Sequence, residues 1–410
     1  MHNDWKRKVI LFLTGQTISL LGSALVQYAI TWHITLATQS GVMMTISIIC
    51  GFLPTFFISP FAGVWADRFP RKTVIILADS FVALSTLVLA ILFFMGYNSL
   101  ALLFVMSALR ALGSGVQSPA IEALLPQLAP RDKLTRVNAV NSSIQAAVSL
   151  LSPMLSGALL SFARLETIFF IDVITAAIAV SILLFLLQVP AHAKAAGRQV
   201  TGYFRDMREG IAYAIRNDFI RTYCLFNIFF LILIAPAASL TPLQVARTYG
   251  DDVWRLTAME VVFSLGMIGG GVLMAAWGGF RNKLHSMTLS NLIISVCTFA
   301  VGLAPAFWLY LVFMGIFGVA IPIFNTPATV LVQQKVEGDF LGRVFSVIRM
   351  ISSTMLPLGM LIFGPLADYV PIEPLLVATG IMLFILSLAM GANKVLYEAG
   401  KPELLPESQG

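Results

Sequence analysis

The chain has 410 residues, of which 58% are hydrophobic and only 11% charged, a balance that would leave a soluble protein with more apolar surface than it could hide. A soluble globular class is therefore excluded, and an integral membrane protein is expected. The formal charge of +6 calls for no nucleic acid, because the basic residues cluster in alternate segments and so report topology.

Apolar runs long enough to cross a hydrocarbon core of ~30 Å, which takes ~20 helical residues, fall at 9–34, 42–66, 73–95, 99–121, 138–162 and 167–187. After a polar break six more follow, at 222–245, 256–278, 286–304, 307–332, 344–367 and 372–392. Inside lipid every backbone polar group must bond locally, so each run is predicted as a helix, twelve in all. The first run is too long for a signal-peptide core and lacks a small-residue cleavage site, so it is expected to remain as the first helix. Of the 26 Lys and Arg, 20 lie in 6–8, 68–72, 131–136, 194–216, 281–283, 335–343 and 394–401, whereas the opposite loops hold only Arg164, Arg247 and Arg255. That asymmetry predicts both termini in the cytoplasm. Cys50, Cys224 and Cys297 all fall in spans, so neither a disulfide framework nor a metal site is expected.

The polar stretch divides the chain into a six-helix half at 1–187, a linker at 188–217, a second six-helix half at 218–392 and a tail at 393–410. Ser118-Pro119-Ala120 returns as Thr326-Pro327-Ala328, and Leu134-Thr135-Arg136-Val137 as Leu341-Gly342-Arg343-Val344, at offsets of 208 and 207 residues. Two matches at nearly one spacing indicate a parallel duplication. In the linker, Tyr203 to Tyr213 alternates apolar and charged residues at near-helical spacing and is predicted to lie along the cytoplasmic interface. The polar, proline-containing tail from Glu398 to Gly410 is expected to be disordered.

Polar residues inside a span face a bundle interior or water rather than lipid. In the fifth span Asn138, Asn141, Ser142, Gln145, Ser149, Ser152 and Ser156 recur at steps of three, four and seven and share one helical face. A weaker stripe in the first span runs through Gln16, Ser19, Ser23, Gln27, Thr31 and Thr35. Small hydroxyls also serve close helix packing, so the amides of Gln27, Asn141, Gln145, Asn227 and Asn325 are the better candidates for substrate contact. Arg110, near the middle of the fourth span, would cost ~2.5–3.5 kcal/mol facing lipid and is expected to face inward. Proton coupling needs a group that can be charged or neutral, and the intramembrane acids are few: Glu260, Asp172 and Asp79. Each has the alternative of a structural ion pair.

Between the second and third runs, Gly63-Val64-Trp65-Ala66-Asp67-Arg68-Phe69-Pro70-Arg71-Lys72 is a compact charged turn in an otherwise apolar region. Its glycine, the acid four residues later and the basic cluster resemble the signature loop of major facilitator superfamily transporters, with Pro70 in place of a glycine. Arg110 to Gly115 is similar to that family's fourth-helix motif, and Ser152 to Gly157 to its exporter-associated motif with serines for two glycines. The stretches Trp5 to Lys8, Gly15 to Leu20, Gly51 to Pro54 and Leu341 to Val344 resemble bacterial macrolide-efflux type drug exporters.

The resemblance implies an all-α membrane protein with twelve helices in two six-helix bundles, the major facilitator fold. It also implies proton-driven export of amphipathic compounds across the bacterial cytoplasmic membrane by alternating access. It assigns a gate to Gly63, Asp67, Arg71, Glu122 and Arg343, with Glu122 pairing Arg71, and coupling to Arg110 with Glu260, Asp172 or Asp79. The partners expected are a small amphipathic substrate, protons and the lipid bilayer, with the chain a monomer and no cofactor. A metabolite, siderophore or lysophospholipid transporter of the same fold, importers included, is the alternative. No nucleophile-base pair, metal cluster or phosphate loop suggests an enzyme.

Overall fold

The computed structural model describes residues 4–189 and 203–401, with the side chains of Asp67 and a few other helix residues outside that description. Its helices are α1 (Asp4–Thr38), α2 (Gly41–Arg68), α3 (Arg71–Phe94), α4 (Leu100–Leu128), α5 (Leu134–Phe162), α6 (Leu165–Ser181), α7 (Tyr203–Arg216), α8 (Asp218–Ser239), α9 (Thr241–Thr248), α10 (Val253–Trp277), α11 (Lys283–Leu303), α12 (Phe307–Lys335), α13 (Gly338–Tyr369), α14 (Ile372–Ala392) and α15 (Lys394–Gly400). Twelve stretches are long and apolar enough to cross a membrane, and no strand occurs among the described residues.

Several helices begin where their sequence supplies a cap. Asn217, Asn282 and Asn393 each turn a side-chain oxygen onto an early backbone N–H of α8, α11 and α15, at 3.1, 2.9 and 3.1 Å. Pro70, the departure from the usual glycine, precedes the first residue of α3 with φ −59°, where its missing N–H costs no helical hydrogen bond. The seventh span is two helices: α8 stops at Ser239 and α9 restarts with Pro242 in its first turn. Proline is tolerated there because the first N–H groups of a helix have no intrahelical acceptor. The expected disordered tail is corrected in part, since Glu398 to Gly400 complete α15, whereas 402–410 lie outside the described residues. Of the linker, 190–202 also lie outside them. The amphipathic segment forms α7, which packs on α13 with Tyr213 stacked on Phe340 at 4.6 Å.

The chain divides into two compact units, the first comprising Met1–Gln39, Met43–Val200 and Asp251–Thr257 and the second Ser40–Val42, Thr201–Gly250 and Ala258–Gly410. In the first, α1 packs on α4, α5 and α6, and α3 on α4 and α6. Two apolar clusters form along these helices. One contains Phe12, Ile75, Leu124 and Leu183, and the other Ile30, Phe93, Leu103 and Phe169. On α1, α3 and α4 the polar residues described below fall between members of the two clusters, and Asp172 of α6 falls between Phe169 and Leu183, the latter just past the end of that helix.

In the second unit α11 packs on α12 and α14, and α8 on α13 and α14. The approach of α10 to α12 is close enough to require glycine: a β-carbon on Gly270 would meet the carbonyl oxygen of Val319, and one on Gly318 that of Phe263. Small residues at such crossings let dispersion and Cα–H contacts replace the hydrophobic drive that lipid does not supply.

Candidate functional site

A closed polar network lies inside the first unit. The Arg110 guanidinium forms an ion pair with Asp172 and is 5% exposed, its partner 1%. Arg110 Nη1 also donates to the Thr86 hydroxyl at 2.9 Å, and Nη2 to the backbone carbonyl of Ser23 at 2.9 Å. Asp172 accepts further bonds from Ser23 Oγ at 2.9 Å and Thr86 Oγ1 at 3.0 Å. Four helices, α1, α3, α4 and α6, thus meet at one charge pair. Arg110 therefore faces inward, and its partners are an acid, a hydroxyl and a carbonyl.

Nearer the start of α3, buried Asp79 accepts from Ser19 Oγ at 3.0 Å and from Gln117 Nε2 at 2.7 Å, both onto Oδ1. Its Oδ2 is buried without a hydrogen-bond partner. Ser19 and Ser23 are one turn apart on α1, while Asp79 with Thr86 and Arg110 with Gln117 are two turns apart on α3 and α4. The two carboxylates therefore occupy successive levels of one polar column. Asp172 answers a full positive charge. Asp79 meets only neutral donors.

The second unit holds a cavity of about 590 Å³ whose lining includes Glu260, Asn227, Asn325 and Arg349. The structure thus brings together one predicted coupling acid and two predicted substrate amides. Its apolar walls include Phe230 stacked on Phe324 at 5.9 Å and Phe263 tilted against Phe317 at 5.9 Å. Arg349, Thr86 and Gln117 were absent from the predicted site. Arg349 was legible as a charge within the eleventh span, and Gln117 as a polar residue two turns from Arg110.

Other candidates lie apart from these clusters. Gln27 and Gln145 are exposed and Asn141 is half-buried. On the same face of α5, Ser156 instead turns into the unit and donates to Leu25 O at 3.1 Å. Arg71 does not pair with Glu122 as expected: its Nε donates to Ala66 O at 3.1 Å and its Nη1 to Ala123 O at 2.7 Å, while Glu122 is exposed. Backbone carbonyls carry partial negative charge, and these two accept from the guanidinium. Arg343 pairs with Glu209 of α7 at 3.3 Å and lies 5.4 Å from the Phe340 ring. Gly63 lies in the last part of α2, and the Asp67 side chain lies outside the described residues. Among the described residues no group of three His, Cys, Asp or Glu side chains could hold a metal.

A family model described as the Major Facilitator Superfamily matches residues 9–360. Macrolide efflux protein A of Streptococcus pyogenes is 29% identical over 391 residues, covering 94% of this chain and 96% of the relative. The protein of the same name from Enterococcus faecalis is 30% identical over 325 residues, covering 78% of this chain and 99% of the relative. A crystal structure of the nucleoside transporter NupG matches with a TM-score of 0.70 at 14% identity, over 93% of this chain and 99% of that one, a likeness of fold alone.

Proposed function

Because the chain belongs to the Major Facilitator Superfamily, a family of membrane transporters and not enzymes, we propose that it exports amphipathic compounds, macrolide-like or other antibiotics. Export runs across the bacterial cytoplasmic membrane by alternating access, with protons as the driving ion and a single chain as the working unit. The observation that carries this reading is the near end-to-end likeness to Macrolide efflux protein A.

The polar column supports the coupling part of the reading by its chemistry. An ionised carboxylate only accepts hydrogen bonds, whereas a protonated one must also donate. A proton on Asp172 removes the charge that holds Arg110, and the bonds from Ser23, Thr86 and Arg110 can no longer all persist. Four helices then lose their common anchor, which links a proton to a change in packing. Asp79 Oδ2, free of any partner, is a second place for a proton one level away. Glu260 supplies an acid to the cavity in which Asn227 and Asn325 can bond a cargo. At the cytoplasmic ends, Gly63, Asp67, Arg71, Glu122 and Arg343 are assigned to gating.

The test is accumulation of a radiolabelled macrolide in cells that express the chain, with and without a protonophore. Export predicts lower accumulation than in control cells, restored by the protonophore. Higher accumulation would reverse the direction and favour an importer, and no change across a panel of antibiotics would refute drug export.

A further inference from the structure

The two intramembrane arginines of this chain are treated differently by the fold. Arg110 is closed off with its own acid in the first unit. Arg349, eleven residues into α13, is exposed on the wall of the second-unit cavity, and no carboxylate among the described residues pairs with it. Glu260 lines the same cavity without forming an ion pair to it. Counted at 1.5 Å per residue, Glu260 lies ~10 Å from the start of α10 and Arg349 ~17 Å from the start of α13. These are the eighth and eleventh spans, so the two helices enter the membrane from opposite faces. Acid and arginine therefore address different ends of the cavity, with the stacked phenylalanines among its walls.

A guanidinium inside a span is costly and marks a substrate path more often than a packing role. Its planar fork of N–H donors matches the two oxygens of a carboxylate. We propose that this cavity selects amphipathic compounds that carry a carboxylate, with Arg349 as the group that binds it and the phenylalanine walls holding the apolar body. This rests on the transport reading and narrows it: macrolides carry an amine and no carboxylate, so the cargo named here lies among the other amphipathic compounds of that reading.

Equilibrium binding to purified protein in dodecyl maltoside, with empty micelles subtracted, tests it with two fluorescent probes of similar body. Dansyl-6-aminohexanoate carries a carboxylate and dansylcadaverine an amine. The wild type is expected to bind the carboxylate at least ten-fold more tightly than the amine. Arg349→Gln should weaken the carboxylate at least ten-fold and leave the amine unchanged, which also reports that the variant is folded. Arg349→Lys should fall between, since a point charge replaces the fork. Carboxylate binding within two-fold of wild type in Arg349→Gln, no binding of the carboxylate at all, or equal affinity for both probes in the wild type would overturn the proposal. Binding in detergent needs neither gradient nor direction. Carboxylate selectivity without drug export would sink the export reading alone, and drug export without selectivity would sink this one alone.

Discussion

Arg110 on α4 and Asp172 on α6, 62 residues apart in sequence, form an ion pair enclosed by α1 and α3. Two hydroxyls and a carbonyl add hydrogen bonds to the charged groups. Removing one partner therefore strands the other in a low-dielectric interior.

Arg110→Gln and Asp172→Asn should each destabilise the protein by about 3–5 kcal/mol, the range for breaking a buried pair from one side. Thermal melting in detergent measures this. The double variant should recover part of the loss, because two neutral amides leave no uncompensated charge. A double variant that melts no higher than the worse single one would show that the pair is not the origin of the effect.

Asp79→Asn should keep its bond from Ser19, and Glu260→Gln should keep its shape, while neither can release a proton. In proteoliposomes both variants are expected to lose gradient-driven efflux about ten-fold, an effect of about 1.4 kcal/mol, and to retain downhill exchange. Full gradient-driven transport in both would remove these acids from coupling.

The crossing of α10 and α12 gives a paired test on adjacent glycines. Gly270→Ala places a methyl against the Val319 backbone, which cannot rotate aside, and overpacking of this kind costs about 1–3 kcal/mol. Gly269→Ala meets nothing within 4 Å and should be neutral or stabilise by up to about 1 kcal/mol through helix propensity. Melting temperatures that moved together would contradict the close approach.

Asp67→Asn should reduce transport at least several-fold while abundance in the membrane stays near wild type, as its position in the signature loop implies a switching role rather than a core one. Transport assayed against immunoblotted protein decides the matter. Undiminished transport would mark the loop as a topology signal.

Much of the fold was legible in the linear chain because the bilayer imposes a strong local rule. A backbone without water must bond to itself, so span length and apolarity alone predict helices, and the spans found lie close to the runs read from composition. The break between α8 and α9 was missed because hydropathy does not register an interruption of a helix, though Pro236 and Pro242 stood in the sequence. The helical α15 was missed because a polar composition says nothing of Asn393 as a cap or of Leu396 buried against the second unit.

The sequence by itself determined that this is a twelve-span membrane protein, that its polar residues concentrate on particular helix faces and that Arg110 must turn inward, since each follows from the cost of polar groups in hydrocarbon. Only the tertiary structure decided partners. Asp172 rather than Asp79 answers Arg110, Arg71 donates to the carbonyls of Ala66 and Ala123 and not to Glu122, and Arg349 and Glu260 line one cavity without pairing. Those outcomes depend on the rotation and register of helices far apart in sequence, which packing of whole faces sets and which no local pattern of residues encodes.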